Sequence, residues 1–180
     1  VILIPRPRRF GKTLNISMLR YFFEKTNKDT SYLFKNTNIW TNPKYRDLQG
    51  QFPVIFLTLK DVKVSSWESA YEELSIIISE ECIRLSRNIA IEKIGSSDLA
   101  MLNRLIDKQA SEGELTQSLR FLSRLLHEQT EKEVIILIDE YDAPIINAYL
   151  QNYYPKMIEF MRNFLSKALK SNSALKKGCL

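Results

Sequence analysis

The chain has 180 residues, 44% hydrophobic and 26% charged, which suits one globular domain with a substantial core and excludes a disordered chain. A net charge of +5 permits attraction to nucleotides or nucleic acid without arguing for either. The longest purely apolar run, Val134 to Ile138, is far too short to span a membrane.

Val1 to Ile4 is an apolar run that predicts a buried strand over about 1–5. It leads into Pro5-Arg6-Pro7-Arg8-Arg9-Phe10-Gly11-Lys12-Thr13, after which Leu14, Met18, Leu19 and Phe22 recur at helical spacing. The spacing predicts a helix from about Lys12 to Lys25, broken by Asn27 to Thr30. Tyr32, Leu33, Phe34, Ile39 and Trp40 suit a short helix and a turn. Asn42-Pro43 and Gln49-Gly50 mark loop. The run Phe52 to Leu59 reads as a buried strand over about 53–60, with Pro53 tolerated only near its start.

Ser65 and Glu68 have the spacing of a capping box for a long helix reaching about Ile89. Trp67, Tyr71, Leu74, Ile78, Cys82 and Leu85 form its apolar stripe. Gly95-Ser96-Ser97 is a break, and Asp98 is placed to cap a helix through about Gln109. Ser111-Glu112-Gly113-Glu114 separates it from a helix carrying Leu115, Leu119, Leu122 and Leu126. His127, with no second histidine to share a metal, reads as a surface helix residue. Cys82 and Cys179 form no metal or redox motif and read as reduced thiols of a cytoplasmic protein.

Val134 to Ile138 followed at once by Asp139-Glu140-Tyr141-Asp142 reads as a strand over about 133–139, buried on both faces and ending in carboxylates. Pro155 starts a last helix bearing Met157, Ile158, Met161, Phe164, Leu165 and Leu169 on one side. Both ends read as cut, because Val1 begins inside an apolar run and another apolar segment is expected to begin near Cys179.

Two stretches carry chemistry. A strand, a turn ending in Gly11-Lys12-Thr13 and a helix make up the layout of a phosphate-binding P-loop, although Arg6 stands where the first glycine of the common pattern falls. Turn and helix-start N–H groups converge on an anion, and the helix dipole favours it. Gly11 lets backbone approach phosphate, Lys12 reaches the β- and γ-phosphates, and Thr13 ligates Mg²⁺. At the other stretch Asp139 shares the Mg²⁺ site with Thr13, and Glu140 activates the attacking water. The Thr13 hydroxyl and Asp139 carboxylate oxygens are expected roughly 3–6 Å apart, leaving room for an ion or a bridging water. The fold expected is α/β, a P-loop NTPase three-layer fold with an incomplete parallel sheet, in one domain over 1–180.

Arg6-Pro7-Arg8-Arg9-Phe10-Gly11-Lys12-Thr13-Leu14, Phe52 to Val62, and Leu137 to Ile145 together resemble the bacterial AAA-ATPase-like family, P-loop ATPases of the AAA/STAND-type group. The resemblance spans essentially the whole chain. It implies ATP and Mg²⁺ as ligands, with the phosphate-binding stretch at Arg8, Arg9, Phe10, Gly11, Lys12, Thr13 and Leu14, and the metal at Thr13 and Asp139. It also implies that arginine is common at the position of Arg6. A further strand with a polar sensor residue is implied after Leu180, and in many members a C-terminal PD-(D/E)XK nuclease-like domain.

Three functions follow as expectations. The first is an ATPase serving as switch or motor of a larger protein, with Glu140 and Lys12 catalytic. The second is a nucleotide-binding module without turnover. The third is nucleic-acid processing through the further domain. No Glu-x-Lys triplet occurs here, and Lys167, Lys170, Lys176 and Lys177 have no interleaved aromatics, so they read as a solvated face.

Overall fold

The computed structural model describes residues 1–3 and 10–180. In chain order the elements are α1 (Lys12–Phe23), α2 (Asn38–Thr41), α3 (Pro43–Arg46), β1 (Val54–Thr58), α4 (Trp67–Ser86), α5 (Ser96–Ile106), α6 (Glu112–Thr130), β2 (Val134–Asp139), α7 (Ala143–Leu150), α8 (Tyr154–Leu169) and β3 (Leu175–Cys179).

The strands form a parallel sheet in the order β1-β2-β3. Beyond β3 the chain's first segment adds to the edge, because Ile2 bridges Cys179 in parallel. Ile2 N–H donates to Gly178 O at 2.7 Å, and Leu180 N–H donates to Ile2 O at 3.0 Å. The strand expected at 1–5 is seen only as this single bridge and is not buried, since Val1, Ile2 and Leu3 are exposed at the sheet edge; its residues 4 and 5 lie outside the described residues. No pair is antiparallel among the described strands.

Strand alternation sorts the sheet into two apolar faces. Ile55, Leu57, Val134, Ile136 and Ile138 belong to the core shared with α4, α6 and α8. Val54, Ile135, Leu137 and Cys179 belong to a smaller cluster with Ile16 of α1 and Phe52. Every residue of β2 is buried, which is why its sequence lacks alternation. Helices on both faces of a parallel sheet give the three-layer α/β fold expected.

The helices follow the apolar periodicity. On α4, Leu74, Ile78, Cys82 and Leu85 are buried, with Trp67 and Tyr71 packed against the core. Burial pushes the Cys82 thiol up to about 12. On α8, Phe160 stacks on Phe164 at 5.6 Å and lies 5.8 Å from Trp67. His127 lies half-buried on α6, its Nδ1 3.0 Å from Lys132 O.

Several boundaries differ from the sequence reading. The cap of α4 is Ser66, whose Oγ accepts from Ser69 N–H at 3.2 Å, and Ser65 lies outside it. The capping box belongs to α6 instead: Ser111 Oγ accepts from Glu114 N–H, and Glu114 Oε2 accepts from Ser111 N–H. Ser96 and Ser97, expected as a break, open α5. Asn42-Pro43 starts α3, with the Asn42 side chain accepting from Lys44 N–H. The sequence reading left α7 unassigned. The strand Leu175–Cys179 is also absent from the sequence reading; it forms β3, between β2 and the first segment. Lys176 and Lys177, exposed in that strand, masked its apolar signal.

Candidate nucleotide site

The direction of α1 places its first turn. Its last turn sits beside Phe52, two residues before β1: Glu24 bridges Phe52 in parallel, and Phe52 N–H donates to Phe23 O at 3.0 Å. Since α1 packs against β2 and β1, it runs opposite to the strands. Twelve helical residues span about 18 Å, close to the roughly 20 Å of strand from residue 52 to 58. Gly11, Lys12 and Thr13 therefore lie at the C-terminal edge of the sheet, where open parallel sheets receive ligands.

Gly11 is the N-cap of α1 and has left-handed backbone angles, φ 71° and ψ 23°. It carries no side chain to cap the helix. The first bond of the ladder is Asn15 N–H to Gly11 O at 2.9 Å, so the N–H groups of Lys12, Thr13 and Leu14 precede it. Such groups and the helix dipole favour an anion. Lys12 is half-buried, while Phe10, Thr13 and Leu14 are exposed. Arg6, Arg8 and Arg9 lie outside the described residues.

Asp139 ends β2 and is 2% exposed. Its side chain shares a face with Ile135 and Leu137 by alternation, which is the face α1 covers. Asp139 and the first turn of α1 thus share one edge and one face of the sheet. Between the first segment and β2 lies β3, and α1 packs against β2 and β1.

Glu140 follows with φ 52°, and its carbonyl accepts from Ala143 N–H at 3.0 Å. Among the described residues, three other non-glycines have positive φ: Lys108, Glu131 and Asn152. Each of those lies just past a helix end, where left-handed residues commonly terminate helices. Glu140 instead follows a strand. Backbone strain of this kind collects at functional sites, and here it turns the chain sharply between a buried carboxylate and a half-buried one.

One group at this edge was missed by the sequence reading. Thr58 is the register partner of Asp139. It lies on the same face as Val54 and Phe56, hence the α1 side. Its Oγ1 is buried with no hydrogen-bond partner among the described residues. The available signal was a hydroxyl residue closing an otherwise apolar strand.

The donors are hydroxyl and carboxylate oxygens, which suit a hard cation that keeps its waters. Among the described residues no three His, Cys, Asp or Glu side chains group as a metal site. One carboxylate, a hydroxyl and substrate phosphates are the usual set for Mg²⁺, so the residues present fit that ion.

The sequence profile of the AAA-ATPase-like family, described as a predicted AAA-ATPase, matches residues 1–180. The chain belongs to the AAA-ATPase-like family. No curated protein and no solved structure matches it. For this AAA-ATPase-like chain the three motif stretches fall within the match, including Gly11-Lys12-Thr13 and Asp139-Glu140. Among the described residues no helix is long and apolar enough to cross a membrane.

Proposed function

We propose that residues 1–180 form one P-loop domain that binds ATP with Mg²⁺, hydrolyses it, and acts as a switch or motor for a larger protein. The observation that carries this reading is the uncapped first turn of α1, opened by left-handed Gly11, at the same edge and face of the sheet as buried Asp139.

Backbone N–H groups from Gly11 to Leu14 hold phosphate oxygens, and the Lys12 ammonium neutralises their charge. Thr13 and Asp139 supply oxygens to the cation. A bound Mg²⁺ would neutralise charge on the phosphate oxygens. Glu140, turned out of the strand, orients a water and accepts its proton as that oxygen bonds to the γ-phosphorus. The bond from γ-phosphorus to the bridging oxygen breaks, releasing ADP and phosphate. Arg8 and Arg9 flank the loop and take part in holding phosphate.

The test compares wild type, Glu140→Gln and Lys12→Ala in calorimetric ATP binding and in phosphate release. Glu140→Gln keeps ATP affinity and loses turnover by about 10²-fold or more, as loss of a general base does. Lys12→Ala weakens ATP binding by about tenfold or more, because it removes a charge-assisted bond. Unchanged affinity in Lys12→Ala counts against the P-loop assignment. Tight binding without turnover in the wild type selects a nucleotide-sensing module instead.

A further inference from the structure

We infer that Thr58 is a positioning residue for the Asp139 carboxylate, a role that rests on the Mg²⁺–nucleotide reading above. Thr58 and Asp139 are register partners on adjacent parallel strands and share the face covered by α1. Neighbouring strands lie about 4.8 Å apart, so the two side chains stand side by side; no direct hydrogen bond joins them, and the spacing suits one bridging water. The Thr58 hydroxyl is buried and has no partner among the described residues. A buried hydroxyl left unpaired is destabilising and needs a reason, since nearly all such groups in folded proteins find partners.

The remainder of β1 explains why this group is distinctive. Val54, Ile55, Phe56 and Leu57 are all apolar, and only the last residue of the strand, level with Asp139, carries a hydroxyl. A threonine also has restricted χ1, so its hydroxyl is held with little loss of freedom on use. Through one bridging water the Thr58 hydroxyl holds the carboxylate oxygen turned away from the cation, which fixes the other oxygen toward it. Groups behind a metal ligand act in this way, by orienting the ligand without touching the ion.

The experiment uses the full chain with Thr58→Val, which keeps the shape and removes the hydroxyl, and Thr58→Ser, which retains it. A fluorescent ATP analogue is titrated in excess EDTA and across a Mg²⁺ series, and Mn²⁺ binding to the nucleotide complex is followed by electron paramagnetic resonance. Thr58→Val should raise the half-saturating Mg²⁺ concentration by about tenfold, the lower end of what loss of a ligand-orienting partner costs. Its affinity for the analogue in EDTA should match wild type. Its melting temperature without ligand should equal or exceed wild type, because an unpaired buried hydroxyl has been removed. Thr58→Ser should retain the wild-type Mg²⁺ dependence.

A wild-type Mg²⁺ dependence in Thr58→Val overturns the proposal. So does an equal loss of affinity in EDTA, or a lowered melting temperature with no change in metal dependence, since either marks a structural group. If Thr58→Val does not fold, Thr58→Ala carries the same expectation, and failure of both to fold also overturns it. When the wild type binds Mg²⁺–nucleotide normally and Thr58→Val matches it, this inference alone falls. When the wild type binds no nucleotide, the functional reading falls with it.

Discussion

Gly11 has φ 71°, and a Cβ built on it meets nothing within 4 Å. The need for glycine at this position is therefore conformational, since left-handed angles are strained for residues with a Cβ. Gly11→Ala should lower stability by about 1 kcal/mol in urea unfolding, and Gly11→Asn by less, because asparagine tolerates that region. Equal stability of all three would show that the turn relaxes to accept a side chain. Glu140 occupies the same region while carrying a Cβ. The comparison separates two settings of one conformation: Gly11 adopts it at a helix start without a Cβ, and Glu140 adopts it at a strand end while carrying one.

At the scale of elements, α6 shows how a terminus is held. Ser111 and Glu114 bond reciprocally, and Arg104 Nε of α5 donates to Glu114 Oε1 at 3.0 Å. The hydrogen bond from Arg104, with that from the Ser111 backbone, lowers the Glu114 carboxyl from 4.5 to about 2. A depressed carboxylate contributes stability that is fully present above its unfolded value and is lost as pH falls through its folded value. Replacing it by Glu114→Gln should lower the melting temperature at pH 7 by about 2 °C, the size of a cap interaction in a chain of this length. The gap to wild type should close between about pH 4.5 and pH 2. A gap that stays constant across that range would locate the effect in the cap geometry and not in the charge.

At the scale of the whole molecule, one polar network joins the end of α1 to the outer edge of the sheet. Arg84 of α4 pairs with Glu24 just past α1 and with Glu81, and its Nη2 donates to Val54 O at 2.7 Å. Glu81 Oε1 accepts from Phe56 N–H at 2.8 Å. Burial pushes the Glu81 carboxyl up, and the hydrogen bonds and charge of Arg84 oppose it. Val54 O and Phe56 N–H point away from β2, so side chains occupy bonding groups that an incoming strand would need on β1. Arg84→Ala leaves buried Glu81 without its ion-pair partner and Glu24 with Arg20 alone, and should destabilise the protein by about 3 kcal/mol in urea unfolding. A loss below about 1 kcal/mol would mean that water replaces the guanidinium and that the network behaves as a surface pair.

Local chemistry was legible where the signal is local. Val134 to Ile138 followed by Asp139 reads as a buried strand with a carboxylate end because burial on both faces leaves nothing for polar residues to do. Gly11-Lys12-Thr13 reads as a turn that opens a helix because the conformation at a helix start is a property of a few adjacent residues. Family membership was legible for the same reason, since it rests on three contiguous stretches. Long-range pairing was not. Leu175–Cys179 carries two lysines and a glycine, so its place in the sheet is set by pairing with β2 and the first segment, which no local pattern records. Thr58 is an ordinary strand residue by type. Only the register of β1 on β2 sets Thr58 beside Asp139, and only the direction of α1 brings its first turn to the same edge and face of the sheet, because residues about 80 and 125 positions apart are related through sheet order and crossover, which are properties of the packed chain.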